Sequence, residues 1–123
     1  MKPEALRNLS IFELVARYRK AVQTHGQALE DTKPRIANKQ ADIIMSLRDE
    51  FQRRGQEGRA AVLHLLADES KWVRLEAASF ALKFSPQDAE PVLESLAKLP
   101  GDCGFLAGVG LDLWRKGTLV SDT

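Results

Sequence analysis

A single cysteine, Cys103, leaves no pair for an internal disulfide, and a cysteine-rich zinc site is excluded with it. No apolar run approaches the roughly 20 residues needed to span a bilayer. Residues 1–5 lead into an amphipathic segment and lack the apolar stretch of a secretory leader. Cytoplasmic residence, with no membrane partner, is the resulting expectation. An excess of one charge is missing too. The chain has 18 basic and 17 acidic side chains, a net +1, without the strong positive balance of a dedicated nucleic-acid binder. Period-two alternation is absent and β-branched residues never cluster, so no strand is expected. The glycines follow no strand, and no Gly-Lys-Ser or Gly-Lys-Thr occurs, which argues against a phosphate-binding loop.

What remains is ordinary in bulk: 123 residues, 44% hydrophobic and 28% charged, enough for one domain spanning 1–123. The charge is unevenly spread. Residues 1–61 carry 12 basic and 8 acidic side chains, and residues 62–123 carry 6 and 9. This reads either as two solvated surfaces of different composition or as a basic face that meets an acidic partner.

The hydrophobic period is helical throughout. Ile11, Leu14, Val15, Tyr18, Val22 and Leu29 form one stripe on a helix over about 10–30, with Ser10 as N-cap and Glu13 completing a capping box. A half-turn with Leu6 and Leu9 leads into it. Asp31 or Thr32 can cap a second helix over 33–54, with Pro34 in its first turn, Ile36, Ile43, Ile44, Leu47 and Phe51 inward, and Gly55 as its stop. Gln40 falls on that stripe, where a buried amide would need partners. Further helices are expected over 58–67, 70–84, 86–99 and 102–116. Ser70 caps the fourth, and Ser85-Pro86 ends it. Gly104 and Gly108 cost roughly 1 kcal/mol each inside the sixth, and they would let a neighbouring backbone come close. Gly117 ends that helix. The expectation is an all-α fold of about six helices in three antiparallel pairs.

The most informative stretch is 68–82, D-E-S-K-W-V-R-L-E-A-A-S-F-A-L. Asp68, then Val73-Arg74, then Ala77-Ala78, resembles the start of the second helix of a HEAT repeat. An Asp in such a turn and an Arg opening the next helix can satisfy the turn's backbone groups and each other. A degenerate second unit follows at a period of about 30 residues. The whole chain resembles a bacterial family of small HEAT-like proteins of uncharacterised function. The likeness rests on 12–18 (F-E-L-V-A-R-Y), the Val73-Arg74 repeat and 113–117 (L-W-R-K-G). It implies a short right-handed α–α superhelix, and it brings no catalytic residues.

No residue is assigned a catalytic, cofactor-binding or metal-binding role. His25 and His64 fall on different helices. Asp68 is better explained by its turn than as a partner of His64, which is expected to pack. The neighbours Asp49-Glu50 and Asp68-Glu69 point in different directions, as poor acid–base pairs do. Cys103 lies near a helix start, and a small apolar role suits it better than a reactive one.

The candidate partner surface comprises Lys71 and Trp72 at one helix start and Arg48, Arg53, Arg54 and Arg59 around the end of the second helix. Trp72 fits an interface anchor or a lid over the core equally well. The arginines also suit a helix C-terminus, whose dipole favours cations. Trp114 is expected in the core. A non-enzymatic protein–protein interaction module is the function expected, with the chain a monomer or a weak homo-oligomer. An immunity or antitoxin-like task is one version, by analogy alone. The alternative is a HEAT-like nucleic-acid binder using the basic half.

Overall fold

The computed structural model describes residues 3–117, with side chains from Ala5 onward. Every regular element among them is helical, and they divide into two compact units at His64 and Leu65. The division coincides with the charge asymmetry: residues 62–64 are uncharged, so the first unit is the basic one and the second the acidic one.

The first unit holds α1 (Pro3–Arg7), α2 (Ile11–Glu30), α3 (Pro34–Arg53) and α4 (Gln56–His64). Local chemistry sets most of the boundaries. The Ser10 hydroxyl accepts the Glu13 N–H at 3.1 Å, and the Glu13 carboxylate accepts the Ser10 N–H at 2.8 Å, the expected capping box. Pro34 occupies the first turn of α3. Gly55 follows the end of α3 at φ +65°, where a side chain would be strained.

The turn between α2 and α3 differs from expectation. Neither Asp31 nor Thr32 caps α3; its N-cap is Lys33, with no side-chain cap bond. Both residues instead close α2. The Lys33 N–H donates to the Ala28 carbonyl at 2.8 Å and the Thr32 N–H to the Leu29 carbonyl at 3.2 Å, a Schellman arrangement. It places Thr32 at φ 55°, a left-handed conformation that penalises a β-branched residue. Thr32→Gly is therefore expected to raise stability by about 0.5–1 kcal/mol, after the entropy that glycine adds to the unfolded chain. The urea midpoint reads this directly, and an unchanged or lower midpoint would count against strain at Thr32.

α2 and α3 are each about 30 Å long and pack along their length. Leu14, Tyr18 and Val22 meet Ile44, Leu47 and Phe51 in the core, with the Tyr18 and Phe51 rings edge to face at 5.3 Å. Leu6 and Val62 add to it from α1 and α4. Gln40 is half-buried. Ile36, expected inward, is exposed, and its neighbour Ala37 takes the buried place in the first turns of α3.

The second unit opens with a 3₁₀ turn (Leu65–Ala67) where continuous helix to 67 was expected. It continues with α5 (Lys71–Ala81), α6 (Pro86–Ala97) and α7 (Gly101–Arg115). α5 stops three residues earlier than expected. Pro86 bars the helical region to Ser85, which adopts φ −152°, and the Ser85 hydroxyl donates to Asp88 at 2.6 Å. Short turns make α5, α6 and α7 successive antiparallel neighbours, all in mutual contact. Val73, Ala77 and Phe80 meet Leu93 and Leu96, and Cys103, Ala107 and Leu111 close the core from α7. The outer ends of α6 and α7 are tied by polar contacts. Trp114 Nε1 donates to Glu90 at 3.2 Å, and Arg115 bridges Glu90 and Glu94.

Candidate interaction surfaces

The four arginines expected to form a basic face have different fates. Glu50 lies on the inward side of α3 between Leu47 and Phe51, and its side chain is only 3% exposed. Arg53 Nε and NH2 donate to its two carboxylate oxygens at 3.0 and 2.7 Å, and Arg54 Nε donates at 2.7 Å. The carboxyl is thereby held down to about 2, first by Arg53 and then by Arg54, against the opposing effect of burial. Arg54 NH2 also donates to the Leu6 and Leu9 carbonyls at 2.9 and 2.8 Å, which ties the end of α1 to α3. With its side chain 10% exposed, Arg54 is an internal clamp. Arg53 is half-exposed but engaged, Arg48 is partly buried, and Arg59 is exposed on α4.

Sequence reasoning overlooked Glu50 as the centre of this group. The signal existed: a carboxylate three residues after Leu47 and beside Phe51, with arginines three and four residues on, is placed to be buried and paired.

In the second unit both Asp68 and Arg74 bond to backbone groups of the turn before α5. The Asp68 carboxylate accepts the Ser70 N–H at 3.0 Å, and Ser70 caps α5 through the Val73 N–H. Arg74 NH1 donates to the Asp68 carbonyl at 2.6 Å. Val73 is fully buried. Trp72 is 8% exposed, so its indole lies against the core, and Lys71 Nζ stands 6.0 Å from the ring. Trp114, expected in the core, is only partly buried.

The titratable groups do not converge. His64 is exposed at the end of α4 where packing was expected, and His25 is half-buried on α2. Asp49 is exposed beside the buried Glu50. Cys103 is buried, its thiol 3.7 Å from the Lys71 carbonyl. Among the described residues no group of three His, Cys, Asp or Glu could hold a metal ion, and no helix is long and apolar enough to cross a membrane.

Two open depressions stand out. One, of about 370 Å³, lies at the α2–α3 turn, with Gln23, Gln27, Ala28, Asp31 and Lys33 around Ile36. The other, of about 320 Å³, runs between α6 and the start of the second unit. Leu66, Pro91, Val92, Leu96 and Leu99 make it apolar, and Arg74 and Ser95 are its polar members. An apolar trough with one fixed cation suits an amphipathic segment bearing a carboxylate.

None of the curated proteins matches the chain. The chain is similar over 95% of its length, at 27% identity and a TM-score of 0.86, to the crystal structure of protein RPA1889 from Rhodopseudomonas palustris CGA009, 98% of which is covered. Residues 12–112 match the family described as a domain of unknown function, DUF2019, and the chain belongs to that family.

Proposed function

We propose that this protein is a non-enzymatic, HEAT-like protein–protein interaction module, and that the trough of the second unit receives a short apolar segment of a partner carrying a carboxylate for Arg74. The trough itself carries this reading: Leu66, Pro91, Val92 and Leu99 line it above the buried Leu96, beside one arginine whose position is set by its bond to the Asp68 carbonyl. The HEAT-like assignment belongs to the same proposal and is supported by the Asp68–Ser70–Arg74 turn. An immunity or antitoxin-like role would be one instance of such binding.

The test compares affinity capture from the native lysate by the wild type and by Ser95→Arg. Ser95 is exposed on the wall of the trough, so arginine there fills the trough without touching the core. A stoichiometric partner retained by the wild type and weakened at least about tenfold by Ser95→Arg is the expected result. A partner held equally by both proteins would place binding elsewhere. Capture of nucleic acid that is lost steeply with salt would replace the proposal by the nucleic-acid reading. The engagement of Arg53 and Arg54 by Glu50 leaves less free positive charge for that reading.

A further inference from the structure

α7 is apolar on two opposite sides. Cys103, Gly104, Ala107 and Leu111 face the second unit and are buried. On the other side Phe105 is 69% exposed, with Leu106, Val109 and Leu113 each near 40%. At 3.6 residues per turn, Asp102, Phe105, Leu106, Val109, Leu113 and Lys116 share one arc about 100° wide and about 21 Å long. A helix that is apolar all round is normally covered on all sides. An exposed apolar stripe of this length on a helix already packed on its other side marks an interaction surface.

The order of residues along the stripe indicates what covers it. Val109 is its centre. Phe105 lies four residues before it and Leu113 four after; Asp102 lies seven before it and Lys116 seven after. Rotation by a two-fold axis through Val109 maps Val109 onto itself, Phe105 onto Leu113 and the acid Asp102 onto the base Lys116, while Leu106, at the edge of the arc, falls opposite Asp112. We propose that the outer face of α7 pairs antiparallel with α7 of a second copy of this chain, Val109 against Val109, Phe105 against Leu113, and Asp102 against Lys116 at both ends.

Parallel pairing would set Asp102 against Asp102 and Lys116 against Lys116, which disfavours it. Lys116 Nζ already meets Asp112 at 2.8 Å, but both side chains are more than half exposed. An exposed pair of this kind is weak, so exchanging it for a partner's Asp102 costs little. The interface is isologous and closes at two copies. One helix face is small for a permanent dimer, so the dissociation constant is on the order of 10–100 μM.

Sedimentation equilibrium of the full chain, up to roughly 1 mM, tests this. The wild type is expected to dimerise, and Val109→Glu, a change at an exposed position, is expected to weaken dimerisation at least about 100-fold with an unchanged circular dichroism spectrum. Asp102→Lys alone sets lysine against lysine at both ends, and Lys116→Asp alone sets aspartate against aspartate. Each is expected to weaken the homodimer about tenfold, whereas an equimolar mixture of the two restores pairing, because every end contact is again opposite in sign. A wild type that stays monomeric throughout would overturn the proposal. So would a dimer that survives Val109→Glu, or a mixture no tighter than its components.

Discussion

Gly104→Ala is expected to destabilise the protein by about 3 kcal/mol, whereas Gly108→Ala, one turn further along the same helix, is expected to stabilise it by up to about 1 kcal/mol. A Cβ at Gly104 would collide with the Leu99 carbonyl oxygen and lie 3.1 Å from the Leu96 carbonyl oxygen. Both obstacles are backbone, so no side chain can swing aside, and α7 must move away from the end of α6. At Gly108 the nearest atom to an added Cβ is the Ala97 Cβ at 3.8 Å, an ordinary contact, and what remains is the better helix propensity of alanine. The sequence suggested close approach at both glycines, but only Gly104 requires it. Gly58 is the corresponding position of the first unit, blocked by the Phe51 carbonyl. Urea unfolding of the paired variants is the measurement. Gly104→Ala with the wild-type midpoint would mean that the α6–α7 connection yields freely.

Glu50→Gln is expected to cost roughly 2–4 kcal/mol at neutral pH, because it leaves the nearly buried Arg54 guanidinium without a counter-charge while keeping the side-chain shape. The loss should depend on pH in a defined direction. The folded protein holds the Glu50 carboxyl down to about 2 from an ordinary 4.5. A group depressed on folding contributes stability in full above its unfolded value, and that contribution is lost as pH falls through the folded one. The gap between wild type and Glu50→Gln should therefore be constant above about pH 5 and should shrink from pH 4.5 towards 2. A gap that stays the same across this range would show that the carboxylate charge is not what the arginines need.

The signals that were legible in the sequence are local ones. Ser10 with Glu13, Pro34, Gly55 and Ser70 act within four residues of themselves, and each sits where its chemistry placed it. Thr32 was misread because a threonine before a proline-initiated helix looks like a cap. Only the hydrogen bonds back to Ala28 and Leu29 show it closing α2. α1 was visible only as a half-turn, since a guanidinium about 45 residues away holds its carbonyls, and no local pattern records that. The candidate surface was legible as residue types but not as a surface. Trp72 and Arg54 turned inward, because burial of an indole or a guanidinium depends on which helices pack over it. The apolar outer stripe of α7 was present in the sequence as an excess of apolar residues, but which side of the helix stays open depends on how α5 and α6 pack against it.

The buried position of Cys103 has an experimental consequence. The thiol is 1% exposed within the second unit, which also holds both tryptophans, Trp72 and Trp114, whereas the only tyrosine, Tyr18, is in the first. Indole fluorescence and the rate of thiol alkylation thus observe residues 65–117 alone, and tyrosine absorbance observes the other unit. The native chain carries its own separate reporters, so whether it melts in one step or in two can be seen without attaching a label.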